Sequence, residues 1–148
     1  MPLTLAKDIK QFGFDAGFWG IDDATKVTGD KTALDEFLDS YIWEASQRLT
    51  DWVGIANYDA AQAQDAEENL KRAMKRAELG LVLAEILPVA WARAGAGEES
   101  FTFEGQSIKI ARTSESEQER TLQSILAKAE RLVKPWSSDV ELGGVIAV

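Results

Sequence analysis

Apolar residues recur at steps of three and four from Leu34 to Val53, through Phe37, Leu38, Tyr41, Ile42, Ala45, Leu49 and Trp52. That spacing predicts an amphipathic helix with one wide buried stripe. Thr32 with Asp35 makes a capping-box start, and Gly54 is the expected stop. A second helical pattern runs from Asp59 to Arg93, with Asp59 as its N-cap. Ala63, Ala66, Leu70, Ala73, Met74, Ala77, Leu81 and Ala84 fall on one face of it, while Glu67–Lys71 and Glu68–Arg72 place opposite charges four apart on the other. From Leu79 to Trp91 the apolar residues are no longer one-sided, so that half is expected to be surrounded by other elements. Pro88 is expected to kink the helix or end its regular part. As one helix the segment would span roughly 50 Å, long enough for the shorter elements to pack along it.

The period changes to two in FTFEGQSIKIAR. Phe101, Phe103, Ile108 and Ile110 are apolar, Thr102, Ser107 and Lys109 are polar, and Glu104-Gly105 makes a turn. A short β-hairpin over 101–111 with one buried face follows. Ser114 with Glu117, or Ser116 with Glu119, offers a capping box for a last helix. Its stripe is Leu122, Ile125, Leu126, Ala129, Leu132 and Val133. Lys134-Pro135 ends it, and Trp136 is expected at the core edge.

The two ends are less regular. Phe12, Phe14, Phe18 and Trp19 crowd into eight residues among Gly13, Gly17 and Gly20, after Leu3, Leu5 and Ile9. Two readings stand: the cluster folds back as core, or it is a docking surface for another subunit. The glycine spacing is not a nucleotide fingerprint, and no strand precedes it. Residues 21–31 read as a polar loop. Asp22, Asp23 and Asp30 suggest calcium, but an EF-hand register would place Ala24 and Lys26, or Thr25 and Val27, at ligand positions. At the other end Asp139, Val140, Glu141 and Leu142 alternate, Gly143-Gly144 frees the backbone, and Val145-Ile146-Ala147-Val148 carries no charged side chain. This predicts an extended tail over 137–148. It either folds onto its own bundle or adds a strand to a partner, with Val140, Leu142, Val145, Ile146 and Val148 as partner-binding residues.

The fold class expected is mainly α, in one domain over 1–148. An aromatic N-terminal segment and loop (1–31) precede a small helical bundle (32–136) around one long central helix. A β-hairpin lies before the last helix, and the extended tail follows. The chain has no cysteine and no histidine. Disulfides, thiolate chemistry and histidine-dependent triads are therefore excluded. The net charge of −9 repels a phosphate backbone. MPLTLAKDIKQFGFDAG does not read as a signal peptide. Leu79–Ala92 is too short to cross a bilayer and contains Glu85 and Pro88. A soluble, cytoplasmic product with no membrane partner is expected. The acidic clusters Glu67-Glu68, Glu98-Glu99 and Glu115/Glu117/Glu119 each have a structural reason: ion pairs, a solvated link and a helix first turn. A di-metal bundle would want Glu-x-x-His pairs. No catalytic, cofactor or metal residue is therefore expected, and an enzyme using carboxylate-bound metal is the weakest reading.

The order of elements carries a resemblance over about residues 22–148. A polar loop leads to an aromatic-containing helix ending at Trp52-Val53-Gly54. A long helix follows, ending in an Ile-Leu-Pro-Val-Ala-Trp run, then the hairpin SFTFEGQSIKIAR and a Ser/Glu-rich link. An Ala/Leu helix ending in Lys-Pro-Trp and an extended tail complete it. This resembles the head–tail connector, or adaptor, proteins of tailed bacteriophages and related gene transfer agents. The resemblance implies a structural, non-enzymatic subunit of the virion neck, assembled in the bacterial host cytoplasm. Its copies would form a ring, generally dodecameric, that docks under the portal protein and receives the tail or the next neck protein. Genomic DNA would pass through the lumen, and the C-terminal segment would reach into the portal. An acidic ring suits a channel that must not hold DNA. The aromatic N-terminal segment is not explained by the resemblance. The alternative is a small soluble helical regulator or inhibitor binding one protein partner.

Overall fold

The computed structural model describes residues 2–93 and 100–137. Two short helices come first, α1 (Ala6–Lys10) and α2 (Ala16–Trp19), then a small antiparallel ladder of β1 (Lys26–Thr28) and β2 (Lys31–Thr32). The bundle consists of α3 (Ala33–Val53), α4 (Ile55–Gln62), α5 (Glu68–Arg93) and α6 (Glu115–Val133), with the hairpin β3 (Ser100–Phe103) and β4 (Gln106–Lys109) between α5 and α6. A 3-10 turn, Lys134–Trp136, ends the described chain's regular structure.

The long helices start where local chemistry tells them to. Thr32 accepts from the Asp35 N–H while the Asp35 carboxylate reaches back to the Thr32 N–H, a reciprocal cap on α3. Ser114 accepts from the Glu117 N–H at the start of α6. Gly54 ends α3 with φ +85, a left-handed backbone that glycine adopts without strain, and its carbonyl starts α4. In the hairpin, Glu104 (φ +48) and Gly105 (φ +77) form the primed turn that suits twisted strands. Phe101, Phe103, Ile108 and Ile110 are buried, the alternation expected, and Ala111, where the alternation ends, is buried as well.

The central helix α5 packs most extensively against α6 and then α3. Leu81, Val82, Leu83, Ile86, Leu87 and Ala90 are fully enclosed, so the half that loses one-sided patterning is covered on most sides, with Glu85, Pro88 and Val89 left outside. Gly80 sits where α5 approaches the hairpin. A Cβ there would lie 3.0 Å from the Phe103 ring and 3.5 Å from the Ala129 methyl. The glycine inside the helix thus allows a close approach of three elements.

Two expectations are corrected, and one, for Pro88, loses one of its two alternatives. Asp59–Arg93 is two helices, not one: the chain turns extended at Ala63 (ψ 145), and Asp59 is an exposed interior residue of α4. Glu67 is the true cap of α5, its carboxylate accepting from the Asn69 and Leu70 N–H groups at 3.0 Å each. Residues 63–67 are good helix formers, but packing α4 back against α5 outweighs that weak preference. With 26 residues, α5 is roughly 39 Å long. Pro88 does not end it. The proline lies on the exposed side of the helix, next to exposed Glu85 and Val89. Leu87, Ala90 and Trp91 hold the last turns in the core, and Trp91 Nε1–H donates to the Lys109 carbonyl at 3.0 Å. The second correction is that residues 21–31 are not wholly loop, because Lys26 pairs with Thr32 across a turn at Gly29. No helix among the described residues is long and apolar enough to cross a membrane. The tail positions Val140, Leu142, Val145, Ile146 and Val148, and the Glu98-Glu99 pair, lie outside the described residues.

Candidate functional site

The N-terminal segment is tied to the bundle at three places. Ile9, Phe14 and Trp19 are buried, and the aromatic rings form a continuous series: Phe12 and Phe14 on Phe101, Phe14 on Phe18 and Trp19, Trp19 on Phe37. Phe14 and Trp19, entertained as partner-binding residues, are therefore core of their own chain. Their rings are consumed by T-shaped and tilted contacts across the hairpin and α3. Phe12 and Phe18 pack on the same cluster and stay partly exposed.

Lys10 makes the second tie. Its Nζ lies 2.8 Å from both Asp23 Oδ1 and Asp35 Oδ1, joining α1 to the start of α3. Hydrogen bonds from Lys10 and from the Thr32 N–H hold the Asp35 carboxyl down to about 2. The Asp22 carboxylate accepts from the Ala24 N–H, and Asp23 accepts from the Thr32 hydroxyl. Asp22 and Asp23 are thus engaged by protein donors. Among the described residues, no group of three or more metal-ligating side chains converges.

The third tie is a carboxylate inside the core. Glu78 on α5 is fully buried. The Thr4 N–H donates to its Oε1 at 2.7 Å, and the Tyr58 hydroxyl of α4 donates to its Oε2. Burial raises the Glu78 carboxyl above its ordinary range, with the Tyr58 and Thr4 hydrogen bonds opposing that rise. Burial, and then the hydrogen bond to Glu78, also push the Tyr58 phenol up. One side chain therefore binds the N-terminal segment and α4 to the central helix. The acidic clusters singled out from sequence did not include it. Its signal was positional: Glu78 lies four after Met74 and three before Leu81, on the buried stripe.

Two surfaces flank the N-terminal segment. On the α3 side, Pro2, Leu5, Ala6, Ile42 and Trp43 form an apolar patch of about 370 Å³, rimmed by Lys31, Asp35 and Asp39. Trp43 is 56% exposed and Leu5 49%. On the α5 side, Arg72, Lys75, Arg76 and Leu79 line a groove of about 280 Å³ with Asp8 and Gln11. Arg76 holds Glu104 of the hairpin turn, and Lys75 lies 3.9 Å from Asp8. Ile55 and Val89 are further exposed apolar side chains elsewhere on the bundle. The described surface thus offers apolar contact points and a cationic groove, the chemistry of protein–protein contact. Comparison of the chain with protein-family models, curated proteins and solved structures finds no match.

Proposed function

We propose that this chain is a structural head–tail adaptor subunit, copies of which form a ring below the portal of a tailed phage and join head to tail around the passing DNA. The observation that carries the reading is the order of elements. A capped α3 ends at Gly54, α4 and then the long α5 follow, and the β3–β4 hairpin precedes an α6 that leads into the Lys134–Trp136 turn. Exposed Trp43, Leu5, Ile55 and Val89 support it. A small subunit that must touch ring neighbours and other neck proteins keeps such side chains outside its core. In this reading the chain performs no catalysis, needs no cofactor and resides in the virion neck. Val140, Leu142, Val145, Ile146 and Val148 would enter the portal as an added strand.

Deletion of Gly143–Val148 tests this. The truncated chain is expected to melt where the full chain melts and to lose most of its binding to portal protein. Undiminished portal binding would contradict the strand-addition reading. A stable one-to-one complex with a host protein, in place of portal binding, would favour a helical regulator or inhibitor.

A further inference from the structure

We propose that Trp43 and the acidic residues around it dock into the α1–α5 groove of a second copy of the chain. The inference rests on the adaptor reading for its expectation that copies meet, and it names the two surfaces that would touch.

Trp43 does not belong to the buried stripe of α3. It stands on the outer face, 56% exposed, with Glu36 and Asp39 seven and four residues before it and Glu44 beside it. Lys31 engages Asp39 at 2.6 Å, while Glu36 and Glu44 make no ion pair among the described residues. Leu5 extends the apolar surface next to the indole. The result is an aromatic knob in an anionic collar.

The groove on the other flank of α1 has the opposite character. Arg72, Lys75, Arg76 and Leu79 recur at three and four residues, so one stripe of α5 lines it. Arg72 makes no ion pair among the described residues, and Lys75 is only loosely engaged by Asp8 at 3.9 Å. At about 280 Å³ the groove has room for one aromatic side chain, with Leu79 as apolar wall and cationic side chains placed to lie over an indole face. Tryptophan and arginine are the residue types that most often dominate an interface.

Charge selects the occupant. In a chain of net charge −9, this groove keeps Arg72 unpaired among the described residues and Lys75 loosely held beside Asp8, with Arg76 already engaged by Glu104, and that residual positive charge attracts an acidic surface. The same net charge works against a nucleic-acid backbone. Every copy carries both the collar and the groove. Because knob and groove are different surfaces, the contact is heterologous, the kind that closes into a ring when each copy is rotated by a constant angle. Like-charged subunits keep it weak in solution, so it forms at high concentration.

The test uses the full chain at low salt, from micromolar to millimolar concentration, followed by analytical ultracentrifugation. One variant carries Trp43→Ala; the other carries Arg72→Glu with Lys75→Glu. All these positions are exposed, and unchanged melting temperatures verify folding. The wild-type chain is expected to associate, and the association constant to fall roughly tenfold or more in either variant alone. Mixed together, the variants should form pairs and stop there, since one intact knob meets one intact groove. A wild-type chain monomeric throughout, either variant associating like wild type, or a mixture that stays monomeric would overturn the proposal. So would duplex DNA bound by the wild-type groove in preference to a second copy. Rings on portal protein built from either variant would overturn the docking and leave the adaptor reading standing. Pairing in the mixture without any portal ring would do the reverse.

Discussion

The two halves of α5 solve opposite problems with one helix. Its second half, from Gly80 to Trp91, is enclosed except at Glu85, Pro88 and Val89, with Ala84 part-buried. Its first half buries a stripe of Leu70, Ala73, Met74 and Ala77 and leaves Lys71, Arg72, Lys75 and Arg76 outside. The enclosed half is specified by shape, and it tolerates even a proline. The first half is specified by polarity, and it includes the buried carboxylate of Glu78. A helix can be both the centre of a core and a presented surface when the neighbouring elements cover only part of its length.

The largest effect should come from charging the enclosed half. Ile86→Asp buries an unpaired carboxylate where the native side chain is fully covered, and should abolish the cooperative unfolding transition seen by circular dichroism. A native-like melt would show that this half of α5 is not enclosed. Glu78→Ala comes next: it strands the Thr4 N–H and the Tyr58 hydroxyl without their acceptor, at about 1–3 kcal/mol for each buried group left unpaired. Denaturant unfolding would measure it.

Glu78 also gives a pH signature. Its folded carboxyl is raised from 4.5, chiefly by burial, so the folded state holds the proton more tightly than the unfolded chain. The stability this confers is complete below the unfolded value and is lost as pH rises through the raised folded value. Asp35 works in the other direction. Its carboxyl is lowered from 3.8 to about 2, so its contribution is present above the unfolded value and lost as pH falls through the folded one. Glu78→Gln should flatten the decline above the ordinary carboxyl range while leaving the acid limb unchanged. A melting profile still falling with the wild-type slope would exclude Glu78 as its source.

At the junction of the halves, Gly80→Leu should cost about 1–3 kcal/mol by overpacking against Phe103 and Ala129. A stabilised variant would mean that the hairpin can retreat. The smallest effect is expected outside, where Arg72→Glu should change stability by no more than about 0.5 kcal/mol.

The enclosed half of α5, the capped starts of α3 and α6 and the hairpin with its Glu104-Gly105 turn were all legible in the sequence. In each case local chemistry and burial point to the same structure. The break at Ala63 was not legible, because Ala-Gln-Asp-Ala-Glu favours helix locally. Long-range packing of α4, including the contact of Tyr58 with Glu78, and the capping by Glu67 accompany the break. The N-terminal aromatics left core and docking both open until the contacts of Phe14 and Trp19 with Phe101 and Phe37 assigned those two to the core. Trp43 drew no reading from the sequence, because it falls off the spaced stripe of its helix and only the structure shows it 56% exposed beside Leu5.

Electron microscopy of the chain mixed with its cognate portal protein tests the central claim most directly. The account predicts a closed ring of copies beneath the portal, coaxial with its channel. Portal particles with no added ring, at concentrations where the chain is folded and in excess, would contradict it.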